Sequence, residues 1–430
     1  MNKNIWCKLG MGVLLLVIAG FPLLAGGAKE PVTVMASWGG DEETGFREVL
    51  DAFTQKTGIP YVYDGQRDML VALKTRVAGG SPPDIGMLPR PGEVVEYARQ
   101  GEIKALDGPA GDPILPADVL KQNYSQAWID LGSVDGRFYG LTVKCNSKST
   151  FWYKPQSFKE LGVEPPNTWQ ELLAIADKYL AAGKAPYSLG GLDAWTLTDW
   201  FENIYVRVAG PEMYLKLFVT HKVAWTDPTV VEAMARFNEI VSPPKKLAGG
   251  AEGSVSTGFI DAFNIVLRKD AGAEMYYEGG FMSSFAEKNF PNLVGGKDYA
   301  FFPFPEINAK WGKPVVGGGD LAVVFKDRPE VREFIRFLAS KEANTIWASA
   351  KKGAVVSPNK NVPLEVYPPL KALEAAQVTQ AQIFVFDGSD LAPSAIGGDA
   401  MFTALQNFVT DPSKVDEILK SLEDAASRAY

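Results

Sequence analysis

The residues best suited to binding chemistry lie close together, in residues 190–203. This stretch contains two tryptophans, three carboxylates and an asparagine, and it opens with a pair of glycines. Asp193 or Thr196 could be the N-cap of a helix here, and on that helix Trp195 and Asp199 lie one turn apart on the same face. An indole beside a hydrogen-bond acceptor suits a sugar, because a sugar ring has an apolar C–H face and hydroxyl groups at its edge. A core helix whose tryptophans only pack is the alternative.

The composition indicates a globular protein with more than one domain. The chain has 430 residues, of which 46% are hydrophobic and 22% are charged, and a chain of this length usually divides into two or more domains. Its formal net charge is −8, and it contains no basic run. Both features argue against nucleic acid or an anionic membrane surface as a partner.

The first 28 residues are predicted to form a secretory signal peptide. Two lysines precede an apolar run over residues 11–24, and small residues follow it. We expect cleavage after Ala28, with Ala25 as the alternative, and no lipid anchor, because no cysteine follows the apolar run closely. Cys145 is then the only cysteine of the mature chain, so no internal disulfide is predicted.

The elements that follow predict an α/β fold. Residues 31–36, 59–63 and 84–88 have the pattern of strands, and residues 41–56 and 67–77 have the apolar spacing of helices. This β-α-β-α-β order predicts a parallel sheet with helices on its faces. Ligands bind such sheets at the carboxyl ends of the strands.

Later segments predict a second lobe. Residues 138–143 are interpreted as a strand that crosses into it, and residues 299–305 as the chain that crosses back. We therefore expect a two-lobed fold with a hinge and a central ligand cleft. The expected N-terminal lobe comprises residues 29–140 and 306–350, the C-terminal lobe comprises residues 141–305, and a helical segment, residues 351–430, packs across both.

Several polar and aromatic residues follow the predicted strands of the first lobe. Trp38 comes after the first strand, Asp68 lies beyond the second, and Asp84 follows a pair of prolines before the third. Gly319 is the last of three consecutive glycines, and Asp320 follows it directly. The glycines would let the backbone approach a ligand closely. Each has a structural alternative: core packing for Trp38, a turn cap for Asp84 and hydrogen bonds to loop amides for Asp320.

Ten short motifs spread over most of the chain resemble those of one family. They lie at residues 63–68, 83–85, 100–106, 139–141, 152–154, 166–172, 198–202, 318–320, 357–360 and 386–390. The chain resembles the family 1 extracellular solute-binding proteins of bacterial carbohydrate ABC importers. The TDW-E and FDGSD motifs, at residues 198–202 and 386–390, resemble those of the α-glucoside-binding group within that family.

The resemblance implies a function and completes the set of candidate ligand-binding residues. The protein would be the periplasmic substrate-binding component of an ABC transporter, capturing an α-glucoside or other small oligosaccharide by hinge closure and delivering it to the membrane permease. It would be a monomer without catalysis, cofactor or metal. The remaining candidates, drawn from these motifs or their surroundings, are Asn146, Trp195, Asp199, Trp200, Glu278 and Asp390. Turns are the alternative for Asn146 and Asp390, and relatives tend to carry other residues around Glu278, which leaves the choice of sugar open.

Two other classes of protein stay possible from the residues alone. A secreted glycosidase or lyase would need two carboxylates roughly 5–10 Å apart, a pairing that the sequence leaves open. Serine-triad and zinc-protease motifs are absent, and the single histidine, His221, is expected at the surface. A bilobed binder of an anion or polyamine is the third class, and Arg67, Arg90 and Lys144 keep anion binding open.

Overall fold

The structure is a computed structural model that describes residues 29–66, 68–108, 112–270 and 272–430. The predicted signal peptide and Arg67 lie outside these residues. Within them, no helix combines the length and the apolar character needed to cross a lipid bilayer.

Strands and helices alternate over residues 32–99, and both types recur along the rest of the described chain. The strands are β1 (Val32–Ala36), β2 (Tyr61–Gly65), β3 (Ile85–Leu88), β4 (Ser133–Val134), β5 (Arg137–Phe138), β6 (Leu141–Ser147), β7 (Thr150–Tyr153), β8 (Tyr187–Ser188), β9 (Met275–Tyr277), β10 (Ala300–Pro303), β11 (Val315–Val324) and β12 (Phe384–Phe386). The helices are α1 (Gly40–Thr57), α2 (Met69–Ala78), α3 (Pro91–Arg99), α4 (Ala117–Asn123), α5 (Gln126–Leu131), α6 (Pro155–Leu161), α7 (Trp169–Ala181), α8 (Trp195–Ala209), α9 (Pro211–Phe218), α10 (Pro228–Val241), α11 (Gly250–Ser256), α12 (Phe259–Leu267), α13 (Met282–Asn289), α14 (Pro329–Leu338), α15 (Lys341–Ala348), α16 (Pro369–Thr379), α17 (Gly388–Leu391), α18 (Met401–Thr410) and α19 (Val415–Ala429).

Two larger sheets form the centres of two lobes. The first sheet has the order β12-β11-β3-β1-β2, with β6 also paired to β11, and the second has the order β10-β7-β9-β8. β1 pairs in parallel with both β2 and β3, so the parallel β-α-β-α-β unit predicted from the sequence is confirmed. The α/β two-lobed fold class is confirmed with it.

The chain passes between the lobes later than the sequence pattern suggests. Residues 141–147 were expected in the second lobe, but they form β6, which pairs with β11 of the first sheet. The first crossing is therefore at residues 148–149, between β6 and β7. The second crossing spans residues 304–314, between β10 and β11. Residues 306–314 were expected in the first lobe, but they form the linker between the lobes.

The C-terminal segment contributes to both lobes and is not entirely helical. β12 forms an edge of the first sheet, where it runs parallel to β11. The chain then crosses a third time, because α18 packs on α8 of the second lobe. Three segments thus connect the lobes in the described chain: residues 148–149, residues 304–314 and the chain that follows Phe386.

Three consecutive glycines lie inside strand β11, where a loop was expected. A Cβ atom on Gly319 would lie 2.7 Å from the carbonyl oxygen of Lys144 on β6, and one on Gly317 would overlap the ring of Phe384 on β12. Because only glycine fits between these neighbours, the three residues allow β11 to pack tightly at the centre of the sheet. Their absence of side chains also leaves space above the sheet, where the cleft lies.

Candidate functional site

A cavity of about 580 Å³ lies between the two lobes. Seven of the eleven predicted ligand-binding residues line it: Trp38, Asp68, Asn146, Trp195, Gly319, Asp320 and Asp390. The first lobe contributes five of them from the carboxyl end of β1, the chain before α2, and the paired strands β6 and β11, as expected for a parallel sheet, while Trp195 lies on α8 and Asp390 on α17. The structure therefore brings these seven together, and their contact with a ligand stays a prediction.

Asp84 lies elsewhere, at the amino end of β3, and serves the fold. Its carboxylate accepts hydrogen bonds from the backbone N–H of Thr33 at 2.8 Å and from Nη2 of Arg328 at 2.7 Å. Burial alone would raise the pKa of Asp84, but Arg328 and Thr33 outweigh burial and lower it. The structural alternative is correct for this residue, because the cleft lies at the opposite ends of the strands.

Trp200 belongs to the core of the second lobe and does not line the cavity. Its side chain is 1% exposed, and its ring stacks on Phe237 with centroids 5.7 Å apart and contacts Tyr277 at 4.5 Å. Trp195, one and a half turns earlier on α8, is only partly buried and lines the cavity. The two tryptophans of the central sequence stretch therefore have different roles.

The predicted cap of α8 is wrong. Ala194 occupies the position before the helix with a φ of 60°, and no side chain caps it. Asp193 instead accepts a hydrogen bond from the backbone N–H of Phe259 at 2.7 Å, and Thr196 donates to the carbonyl oxygen of Gly190 at 2.7 Å. Both polar side chains fix the loop around the helix start, which holds Trp195 at the cavity wall.

Lys148 is the residue that the sequence analysis missed. It lies on the first crossing, lines the cavity, and places Nζ 5.5 Å from the ring centroid of Trp195. The same Nζ lies 3.1 Å from Oδ1 of Asp199 and donates to Asp387. Asp199 is fully buried beneath the cavity, so the acceptor that was expected to serve a ligand serves Lys148. The signal that could have identified Lys148 is its position at the end of the strand that leads from one lobe to the other.

The charges around Lys148 settle its protonation. Burial alone would lower the pKa of Lys148, but the attraction of Asp199 and Asp387 outweighs burial and raises the pKa well above its ordinary value. Burial likewise opposes the ionisation of Asp387, yet Lys148 lowers the pKa of that carboxyl to about 2. The pair is therefore a buried salt bridge at neutral pH, held by its hydrogen bonds.

Glu278 also lies below the cavity, fully buried at the end of β9. One of its oxygens accepts from the backbone N–H of Gly279 at 2.7 Å. Its other oxygen, Oε1, and Oδ2 of Asp199 have no donor in the described chain. Burial raises the pKa of Glu278 to about 8 and that of Asp199 well above its usual range. Both carboxyl groups therefore favour their protonated form.

Three of the buried carboxylates, Asp199, Glu202 and Asp387, lie close enough together to be compared with a metal site. Each of the three carboxylates already accepts from a group of the protein, however. Lys148 pairs with Asp199 and Asp387, and Glu202 accepts from the backbone N–H groups of residues 388 and 389. The ammonium group of Lys148 thus supplies a cation to two of the three carboxylates.

The opposite wall of the cavity is built around Asp320. Its carboxylate accepts from Nε1 of Trp38 and lies 3.0 Å from Nζ of Lys144, which also pairs with Glu42. Trp38 is 3% exposed and packs against Phe46 with ring centroids 4.9 Å apart. Its indole therefore serves the core of the first lobe while its edge forms part of the cavity wall.

Acceptor oxygens also face the cavity. Oδ1 of Asn146 has no hydrogen-bond donor among the described residues, and the exposed Asp68 lies at the start of α2. Asp390 pairs with Arg90 at 3.2 Å, and burial together with the charge of Asp387 raises the pKa of Asp390 to about 7. Among the described lining residues, each cation is therefore paired with a carboxylate, while the oxygens of Asn146 and Asp68 remain as hydrogen-bond acceptors.

Comparison with known proteins identifies the family. The model of the bacterial extracellular solute-binding proteins matches residues 39–345. The osmoprotective compounds-binding protein GgtB of Synechocystis sp. is 32% identical over 386 residues, covering 89% of each chain. The alpha-glucosides-binding periplasmic protein AglE of Rhizobium meliloti is 32% identical over 403 residues, covering 90% of this chain and 85% of that one.

Solved structures support the same fold at lower identity. The bacterial solute receptor AcbH, described with a preference for β-D-galactopyranose, matches with a TM-score of 0.80 at 20% identity over 93% of this chain and 99% of its own. The solute-binding protein RafE in complex with raffinose matches with a TM-score of 0.74 at 17% identity over 93% and 99%. The two-lobed fold, the cavity between the lobes and the match over residues 39–345 agree. The chain belongs to the bacterial extracellular solute-binding protein family.

Proposed function

We propose that the protein is the substrate-binding component of an ABC transporter that captures an α-glucoside or another small, neutral oligosaccharide. It would hold the sugar between the lobes, close around it and deliver it to the membrane permease. The observation that carries this proposal is the partly buried indole of Trp195 in a cavity whose described cations are already paired.

Aromatic side chains give the cavity an apolar face for a sugar ring. Trp195 contacts Phe259 and Phe281, with ring centroids 5.1 and 5.9 Å away, and both phenylalanines also line the cavity. Phe285 and Phe402 extend this surface. The C–H face of a pyranose packs on such rings, while its hydroxyl groups reach the polar atoms of the opposite wall.

The charge pattern favours a neutral ligand with many hydrogen-bond donors. An anion would need a free cation, but Arg90, Lys144 and Lys148 each pair with a carboxylate. The oxygens of Asn146 and Asp68 are acceptors, and hydroxyl groups can donate to them. A buried acceptor left without a donor costs about 1–3 kcal/mol, so Oδ1 of Asn146 selects ligands with a correctly placed hydroxyl, while the exposed Asp68 adds a further acceptor.

One of the two relatives supports an α-glucoside in particular. AglE is named for alpha-glucosides and GgtB for osmoprotective compounds, and each aligns with about nine-tenths of this chain. AglE is a periplasmic protein, which supports export of this one as well. Delivery to a membrane permease, periplasmic location without a lipid anchor, the monomeric state and the lack of catalysis belong to the same proposal.

A glycosidase is the second candidate, and one observation favours it. Asp390 lines the cavity with a pKa raised to about 7, as a catalytic acid would need. Its carboxyl group is bound to Arg90 and faces Lys148 at 3.9 Å, which suits a structural role better. Incubation of a bound disaccharide with stoichiometric protein should therefore return the disaccharide unchanged, and released monosaccharide would favour the enzyme.

Titration calorimetry of the chain from residue 29 onward tests the proposal. The panel is maltose, sucrose, trehalose and glucose, with glycine betaine as a non-sugar osmolyte and sulfate as an anion. We expect saturable binding of at least one disaccharide and no binding of sulfate or betaine. Binding of sulfate or betaine in place of every sugar would overturn the sugar assignment. Small-angle scattering with the bound sugar should show a smaller radius of gyration than the free protein.

A further inference from the structure

One helix of the second lobe carries an unusual set of buried polar residues. Asp199, Glu202, Asn203 and Arg207 lie on α8, and each is at most 1% exposed. Buried polar side chains are costly unless they are hydrogen-bonded, so their partners indicate why they are present. We refer to these four residues as the polar stripe of α8. Its partners lie on the three segments that connect the lobes.

Two members of the stripe hold the first crossing, residues 148–149. Oδ1 of Asp199 accepts from Nζ of Lys148 at 3.1 Å, and Nδ2 of Asn203 donates to the carbonyl oxygen of Lys148 at 2.8 Å. Oδ1 of Asn203 accepts from Oγ of Ser149 at 2.6 Å. Both residues between β6 and β7 are therefore fixed to α8 by side-chain and backbone contacts.

Arg207 holds the second crossing, residues 304–314. Its guanidinium group donates to the carbonyl oxygens of Pro305 at 3.0 Å, Phe304 at 3.3 Å and Pro314 at 2.6 Å. It also donates to Oδ1 of Asn203 at 2.9 Å, which joins it to the first crossing. No carboxylate of the described chain forms an ion pair with Arg207, and burial lowers the pKa of Arg207 to about 9. Backbone carbonyls of the linker thus provide its solvation.

Glu202 holds the third crossing, immediately after β12. Its carboxylate accepts from the backbone N–H of Gly388 at 2.7 Å and of Ser389 at 2.9 Å, and from the hydroxyl of Tyr214 at 2.8 Å. The crossings also bind one another, because the backbone N–H of Phe304 donates to the carbonyl oxygen of Ser149 at 2.9 Å. All three connections between the lobes therefore meet at one face of α8.

We propose that the polar stripe of α8 is the positioning element that couples ligand binding to closure of the lobes. The helix begins at Trp195 in the cavity, and its next three turns hold every segment that must rotate when the lobes close. Lys148 links the two functions, since its side chain lines the cavity and its backbone is the first crossing. This inference rests on the proposed function, because it assigns to α8 the transmission of sugar binding to the hinge.

Asn203→Ala is the sharpest test, because Asn203 contacts both residues of the first crossing, accepts from Arg207, which holds the second crossing, and does not line the cavity. Ser149→Ala removes the same hydrogen bond from the linker side if the first variant fails to fold. Phe201→Leu is the matched control: Phe201 lies on α8, is 1% exposed, and its ring contacts lie on Tyr205, Phe218 and Trp225.

Distances between the lobes provide the readout. Spin labels on cysteines introduced at the exposed positions Glu48 and Ala174 report one distance from each lobe, and the native Cys145 is buried and shielded from labelling. Pulsed electron resonance is measured without sugar and with maltose, sucrose or trehalose, beside calorimetric Kd and Tm. We expect Asn203→Ala and Ser149→Ala to broaden the ligand-free distance distribution and to raise Kd at least fivefold. Phe201→Leu should lower Tm without either change.

Two results would overturn the inference. Unchanged distance distributions and a Kd within twofold for both stripe variants would show that the crossings do not depend on α8. If Phe201→Leu, at an equal loss of Tm, changed the distance distribution and Kd as much as the stripe variants do, these effects would reflect general destabilisation. Failure of the wild type to bind any of the three sugars would instead refute the proposed function. In that case the ligand-free distributions still test the stripe, since they need no sugar.

Discussion

Replacing the two tryptophans of α8 separately distinguishes a ligand platform from a core residue. Trp200 is 1% exposed and is surrounded by Phe151, Phe237 and Tyr277. Trp195 is partly buried, lines the cavity, and has one face toward Lys148 at 5.5 Å. The variants Trp195→Ala and Trp200→Ala are therefore expected to affect different properties.

The magnitudes follow from these surroundings. Trp200→Ala removes a fully buried indole and should destabilise the fold by about 3–5 kcal/mol, which corresponds to a fall in Tm of roughly 3–6 °C for a protein of this size. Trp195→Ala removes a partly exposed ring. Loss of an aromatic contact worth about 1 kcal/mol beyond the buried area implies that Kd for the sugar rises roughly tenfold or more, at about 1.4 kcal/mol per decade.

Thermal unfolding and calorimetry on the same two variants provide the assay. Trp128→Ala serves as a control, because Trp128 on α5 is partly buried, lies outside the cavity and packs on Phe384 with ring centroids 5.5 Å apart. Trp128→Ala should leave Kd unchanged. If Trp195→Ala melted as low as Trp200→Ala yet bound sugar normally, Trp195 would be a core residue and the proposed ligand platform would be wrong.

Three further predictions concern carboxylates. Burial raises the pKa of Glu278 from 4.5 to about 8, so the folded protein keeps a proton that the unfolded chain releases, and stability should fall by up to about 1.4 kcal/mol per unit as pH rises through that window. Glu278→Gln should flatten this decline in pH-dependent unfolding, and an equal slope would contradict the assignment. Asp84→Asn weakens the pair with Arg328 and should cost about 1.5–3 kcal/mol of stability with unchanged sugar affinity. Asp320→Asn weakens the contact with Lys144 in the cavity and should raise Kd roughly tenfold in calorimetry, whereas an unchanged Kd would place Asp320 outside the binding surface.

Local patterns predicted the elements of the first lobe because its periodicity reflects burial directly. Phe46, Val49, Leu50 and Phe53 recur at helical spacing, and all four are buried on α1. The parallel sheet follows from the order of such elements, since a connection between parallel strands needs a helix. The same logic placed Trp38 and Asp68 correctly at the cavity, because strand ends on one edge of a sheet converge.

Pairings between distant residues could not be predicted in this way. Asp199 and Lys148 are 51 positions apart, and nothing local indicates that the carboxylate of one meets the ammonium of the other. Gly319 ends a run of three glycines, which is typical of a loop. Only its packing against the backbone of Lys144 shows why a strand needs glycine at this position. Burial of Glu278 likewise depends on segments far away in the sequence.

The polar character of α8 explains why its sequence suggested a binding helix. Asp199, Glu202 and Asn203 have the residue types of a sugar site, and side chains that bind hydroxyl groups can equally bind ammonium, amide and carbonyl groups of the protein. An apolar stripe would pack α8 at a lower desolvation free energy, since replacing buried ion pairs by hydrophobic residues is often neutral or stabilising. Hydrogen bonds to linker backbone, however, fix direction as well as distance. These directed hydrogen bonds fix the crossings relative to α8. Because α8 begins at Trp195 in the cavity, contact of a ligand with Trp195 is thereby transmitted to the hinge in the proposed coupling.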